Sequence, residues 1–291
     1  MKKSHVFLYA LAAASAFNAL DASGKPVNLY AVDSSDPDGP VQARIWASFM
    51  AHARPAALWY RQATQGMNID TAGFTPFRNR LERATYVSFT YHFMRDGITH
   101  ARVYHAMSGQ SHFESELYAP RRGRTATIEA SRRFSAFITD TPGEVVAWDE
   151  DPVPDSDIAH SDGHDGRHPD ARRRDAELKI SRKLETDIAD GTVMPGGFLY
   201  GFSSQVPCAS CSHVLEQLSH LHGIDVSVTY LEPGSTAYKR FKGLREQYVN
   251  GIHVALSGGQ LNLLLRESTT EYPIVAPDCI GDDSPGAPGR P

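Results

Sequence analysis

Asp175-Ala-Glu-Leu-Lys-Ile180, followed by Phe198-Leu-Tyr-Gly-Phe202 and by Pro207-Cys-Ala-Ser-Cys-Ser-His-Val-Leu-Glu-Gln217, is the stretch whose reading decides the fold. Ala176, Ile180, Leu184 and Ile188 recur every fourth residue, so one amphipathic helix is expected from Asp175 to Ile188, broken at Asp190-Gly191. The run Phe198 to Phe202 is short, aromatic-rich and bounded by Pro195-Gly196-Gly197 and Pro207, which marks a strand. Cys211, Val214, Leu215, Leu218 and Leu221 share one face of a second helix ending near Gly223. Ile224, Val226, Val228 and Tyr230 then alternate with polar residues, as a strand does. Together these make a βαβ unit, expected to be right-handed.

A thiolate binds metal and a thiol does not. The free N–H groups and partial positive charge of a helix N-terminus favour the thiolates of Cys208 and Cys211. Cys-x-x-Cys lets one metal take both sulfurs, and a catalytic zinc needs one more protein ligand and a position for water. The first helix is where that ligand is expected, and Glu177 lies in its first turn. Alone, Cys-x-x-Cys is shared with redox pairs and structural zinc sites. A thiol redox protein therefore stands as a rival, although Pro207, Ser210 and the following His213-Val-Leu-Glu216 do not look thioredoxin-like.

These residues resemble the deaminases of bacterial polymorphic toxins and secreted effectors, within the cytidine deaminase-like superfamily. Asp175-Ala-Glu-Leu-Lys-Ile180 is similar to the Asp-x-Glu-x-Lys-Ile-Leu form of that family's first motif, and Pro207 to Gln217 is similar to its second. Thr99-His-Ala-Arg-Val-Tyr-His-Ala-Met-Ser-Gly109 resembles the strand that precedes them. The resemblance spans roughly residues 85 to 265. It implies Zn²⁺ held by Asp175, Cys208 and Cys211, with Glu177 passing protons. It further implies conversion of cytosine to uracil in nucleic acid by a secreted toxin or effector, for which an immunity protein is a partner to consider. The commoner first motif is His-x-Glu, and Asp175 stands where that histidine would. His112-Phe-Glu114 matches His-x-Glu literally but lies too far before Cys208 and has no amphipathic helix around it. His160, His164 and His168 are a second rival source of the third ligand, spaced by four in a Gly- and Pro-rich segment that reads as a loop.

After the strand at Ile224–Tyr230, Pro233-Gly234-Ser235 leads into a helix through Tyr238, Phe241, Leu244 and Tyr248, expected to stop at Asn250-Gly251 before a strand from Ile252 to Leu256. A helix between two strands makes them parallel. The expected fold is α/β, three layers of α/β/α around a mixed five-stranded sheet whose fourth and fifth strands run parallel. Such a pair is similar to the superfamily branch of tRNA adenosine deaminases and many toxins, which implies a polynucleotide substrate. Tyr86 to Phe93 and Ile98 to Ala106, separated by Arg95-Asp96-Gly97, read as a hairpin, and Phe134 to Ile138 as a further short strand.

The chain has 291 residues, 41% of them hydrophobic and 22% charged, enough for one large domain or two modest ones. A net charge of −5 argues against a generic nucleic-acid coat. Arg121, Arg122, Arg124, Arg132 and Arg133 nevertheless cluster, as do Arg172, Arg173 and Arg174. They read equally as a phosphate-holding rim and as a balance to the acidic stretch from Asp140 to Asp165. Lys239, Arg240 and Lys242 likewise serve as phosphate contacts or as a solvated helix face, and Phe202 and Tyr230 as base-stacking rings or core.

Cys279 is left alone by the motif, so there is no disulfide framework. Lys2-Lys3 before the apolar run Val6 to Phe17 fits a secretory signal peptide or a plain alanine-rich helix. That run is short for a membrane span, and no stable membrane association is expected. The expected organisation is residues 1–25 as that segment, 26–84 as a helical N-terminal region, 85–265 as the deaminase-like domain with a mobile insertion at about 140–172, and 266–291 as a disordered tail. Beside the active deaminase stands a zinc-stabilised binding module without activity.

Overall fold

The hairpin at Arg95-Asp96-Gly97 sets the sheet in motion: Asp96 and Gly97 have φ of 53° and 77°, the pair of left-handed conformations that a two-residue type I′ turn requires. The strands it joins are central to a computed structural model that describes residues 26–32, 39–64, 71–109, 140–141, 143–148, 152–156, 158 and 174–261. Six strands form one sheet: β1 (Asn28–Val32), β2 (Tyr86–Arg95), β3 (Ile98–Met107), β4 (Glu144–Val146), β5 (Gly197–Ser203) and β6 (Ile224–Leu231), in the order β1-β6-β5-β2-β3-β4. β2 is antiparallel to β3 and β5, and the remaining pairs are parallel. The helices are α1 (Pro40–Ala63), α2 (Thr71–Arg83), α3 (Ala176–Ala189), α4 (Ala209–His222) and α5 (Thr236–Ser257).

The two-residue period of β2 sorts its side chains between two cores. Val87, Phe89, Tyr91 and Phe93 pack with Ile180 and Leu184 of α3 and Val214, Leu215 and Leu218 of α4. Tyr86 faces the other way, with Ile45 and Phe49 of α1, Phe77 of α2 and Phe241 of α5. Helices thus flank both faces of a mixed sheet, as expected of the α/β class. The βαβ unit also forms: β5 and β6 are parallel around α4, with Leu199 opposite Val226.

The C-terminal expectation needs correction. Residues 252–256 are not a strand, because α5 runs through Asn250-Gly251 to Ser257 and buries Tyr248, Val249, Ile252 and Ala255 in the α1/α2 core. A helical glycine costs about 1 kcal/mol, whereas burying one isoleucine returns about 1.5–3 kcal/mol. The place beside β6 is taken by β1, which pairs parallel with Tyr30 opposite Thr229. The sheet therefore has six strands, and the expected fourth-and-fifth pair no longer supports a polynucleotide substrate. Residues 26–84, expected as helical, supply this edge strand as well as α1 and α2.

Part of the stretch expected as a mobile insertion is core. Val145, Ala147 and Ile158 are buried, and Ser156 Oγ donates to Glu185 Oε2 of α3 at 2.6 Å. Phe134–Ile138 and the segments 1–25 and 266–291 lie outside the described residues. No helix among the described residues is long and apolar enough to cross a membrane.

α1 carries a buried imidazole that gives the fold an acid sensitivity. His52 donates from Nδ1 to the Ser48 carbonyl at 2.7 Å and meets the rings of Tyr86 and Trp148 edge-on. Burial pulls its pKa from 6.5 down to about 3, only partly opposed by the Ser48 hydrogen bond. The native state keeps His52 neutral while the unfolded chain protonates, so stability falls as pH drops from about 6.5 toward 3. Between pH 6.5 and 5 the chain is expected to lose roughly 2 kcal/mol more than His52→Phe loses, measured by urea unfolding. Equal losses would contradict a neutral buried His52.

Candidate metal centre

α3 and α4 lie side by side on one face of the sheet and bring their first residues together. Asp175 and Cys208 are the two N-caps, both with extended backbone, at φ −69° and ψ 140° and at φ −70° and ψ 164°. Cys208 caps its helix in the ordinary sense, its Sγ accepting from the Cys211 N–H at 3.1 Å. Asp175 makes no side-chain cap hydrogen bond with its own helix. Instead its Oδ2 lies 3.8 Å from Cys208 Sγ and 3.6 Å from Cys211 Sγ. An aspartate that forgoes a cap worth about 1 kcal/mol is oriented by something other than its helix.

The donor set fits zinc. Ligand atoms of Asp175, Cys208 and Cys211 all lie within 4.8 Å of one another, with Cys211 buried and the other two half-buried. Tetrahedral zinc, with bonds of about 2.3 Å to sulfur and 2.0–2.2 Å to oxygen, places sulfur and oxygen roughly 3.6 Å apart. The two Asp175–sulfur separations match that edge length. Two thiolates and one carboxylate also leave a fourth tetrahedral position for a non-protein ligand.

The electrostatics point the same way. The Cys211 thiol is pushed far above its usual range, first by its hydrogen bond with Cys208, then by burial, then by the negative charges of Glu177 and Asp175. Acidic groups this crowded ionise together only when a cation offsets them. Glu177 is 3% exposed in the first turn of α3, close enough for its charge to bear on Cys211. Asp175, Cys208 and Cys211 form the one group of three or more such side chains that could hold a metal ion among the described residues, and Glu177 is outside it.

The rivals and accessories separate. His112, Glu114, His160, His164, His168, Cys279, the arginines from Arg121 to Arg133, Arg172 and Arg173 lie outside the described residues. Phe202 packs against the core of α1, α2 and α5, on the opposite sheet face from α3 and α4. Tyr230 alternates with Val226 and Val228 toward the α3/α4 face and is half-buried, so of the two rings it is the one on the centre's side. Arg174, Lys239, Arg240 and Lys242 are exposed. α5 packs on the sheet face away from α3 and α4, so nothing brings its three basic residues to the centre.

Sequence reasoning gave no role to Lys179. It is 2% exposed, and its Nζ donates to the carbonyls of Met107 at 2.8 Å and Gly109 at 2.7 Å. Two hints are its match to the lysine of the Asp-x-Glu-x-Lys-Ile-Leu motif and its place between Leu178 and Ile180, since a lysine flanked by two buried residues near a helix start is badly placed for solvent.

No protein-family model, curated protein or solved structure matches the chain. The chemistry of the centre is what remains to argue function from.

Proposed function

We propose that the chain is a zinc-dependent base deaminase, hydrolysing the amidine C–N bond of cytosine to give uracil in nucleic acid, in the manner of a secreted toxin or effector. The observation that carries this reading is a buried carboxylate, Glu177, set two residues after one member of an Asp/Cys/Cys group with zinc-like spacing. A structural zinc site closes its coordination with four protein ligands, whereas three are grouped among the described residues.

Asp175, Cys208 and Cys211 would hold the ion, which supplies a water of pKa near 7 as nucleophile. Glu177 would carry one proton of the attacking water to the ring nitrogen and the second, from the hydroxyl then on the ring carbon, to the amino group, which leaves as ammonia while the carbonyl of uracil forms. Burial suits that work: a carboxylate screened from bulk water keeps its proton for the substrate. Tyr230, on the same sheet face, would stack on a base, and exposed Arg174 beside Asp175 would meet a phosphate.

The test is to express the chain, measure zinc per chain, and sequence the DNA and RNA of exposed cells. Zinc together with C-to-T changes is expected. Zinc with unaltered sequence in both nucleic acids would favour the binding module without activity, and absence of zinc would favour the thiol redox protein.

A further inference from the structure

We infer that Lys179 is the positioning residue of the metal centre, an inference that rests on Asp175, Cys208 and Cys211 being ligands. Its ammonium ties α3 to the two carbonyls at the end of β3, and the Gly109 N–H donates to the Arg174 carbonyl at 2.8 Å. Residues 107–109 thus grip α3 on both sides of Asp175, at position 174 and at position 179. Asp175 is not held by a cap bond of its own. The two tethers are what fix the start of α3 against the sheet, and with it the distance from Asp175 Oδ2 to the sulfurs on α4.

A buried ammonium is costly to desolvate and is retained where its charge is needed. Its Nζ donates to two backbone carbonyls, near the start of a helix that also carries Asp175 and Glu177. Lys179 is outside the Asp175/Cys208/Cys211 group. It acts through Asp175 and Glu177, as outer partners of metal sites do, whose loss costs about 10–100-fold in metal affinity.

The experiment uses the full chain and two readouts: zinc affinity by chelator competition, and the absorption of the Co²⁺-substituted protein, whose thiolate bands report the ligand geometry. Lys179→Met, which keeps the length and removes the charge and donors, is expected to weaken zinc by about 10–100-fold and to shift the cobalt bands. Lys179→Arg, which keeps a charged donor, is expected to recover most of the affinity. Should Lys179→Met not fold, Gly109→Ala decides: Gly109 has φ +88°, and a Cβ there meets nothing within 4 Å. That change strains the carbonyl-bearing turn and leaves the core alone, and it is expected to weaken zinc severalfold. Unchanged affinity and spectrum in the folded variants would overturn the inference while leaving the centre intact. Failure of the unaltered chain to take up zinc would overturn both this inference and the reading beneath it.

Discussion

Glu177→Gln is expected to lower deamination by roughly 10²–10⁴-fold while zinc content, the cobalt spectrum and thermal stability stay at the level of the unaltered chain. The size follows from the role: a residue that accepts and returns a proton in the transition state contributes about that factor, and an amide cannot take its place. Selectivity follows from position. Glu177 lies in the first turn of α3, two residues beyond Asp175, and is outside the Asp175/Cys208/Cys211 group. Glutamine fills nearly the same volume at a site with 3% exposure, so packing is retained. Residual activity within tenfold of the unaltered chain would remove Glu177 from the mechanism. Loss of zinc along with activity would recast it as a ligand. Asp175→Ala, by contrast, is expected to lose zinc and activity together, which keeps the two carboxylates experimentally distinct.

Much of this centre is legible in the sequence because its geometry is local. Asp175 and Cys208 each precede an amphipathic run, and Pro207 and the Gly196-Gly197 pair bracket the strand that delivers the chain to the cysteines. The periodicity marks the two N-caps, and the resemblance of the two motifs is what implies that the Asp175 carboxylate meets the two sulfurs. What spacing does not carry is the reach of Lys179 to Met107 and Gly109, some 70 residues away in sequence, with |i−j| of 72 and 70. That contact depends on where β3 ends relative to α3, a tertiary fact.

The errors in the fold have a similar origin. Asn250-Gly251 is a strong local stop, yet Tyr248, Val249, Ile252 and Ala255 continue a helical stripe across it, and packing on α1 and α2 outweighs the glycine. β1 escaped notice because an edge strand with an almost wholly exposed pattern shows no alternation between apolar and polar faces. β4 has three residues, too few for any period, and is fixed by its neighbours: Val103 pairs with Glu144, and His105 Nε2 meets Glu144 Oε1 at 2.6 Å. In each case a non-local contact decided the state. The consequence reaches function: residues 252–256, helical in α5, supply no parallel strand pair that would point to a polynucleotide substrate.

Gly197→Ala is the sharpest test of the sheet itself and is expected to cost about 3 kcal/mol or more, against about 1 kcal/mol for Gly196→Ala next to it. Both glycines have positive φ, +101° and +78°, so both variants carry backbone strain. They differ in what a methyl group meets. At Gly196 a Cβ finds nothing within 4 Å, whereas at Gly197 it falls 2.2 Å from the backbone oxygen of His92 and 3.4 Å from the Cα of Phe93. Relief is blocked on both sides of the strand start. β2 cannot recede, since His92 is paired with Phe198 on one side and Ala101 on the other. The loop before β5 cannot swing out, since the Tyr91 hydroxyl donates to the Met194 carbonyl at 2.6 Å beside that of Gly196, and the Gly196 N–H donates to His222 at 2.8 Å. The alanine must therefore break the first rungs between β2 and β5, the strand that leads to Cys208. Urea unfolding of the two variants reads the difference directly. Equal destabilisation would mean that β5 does not run against His92 in this register, and the route from the sheet to the cysteines would have to be redrawn.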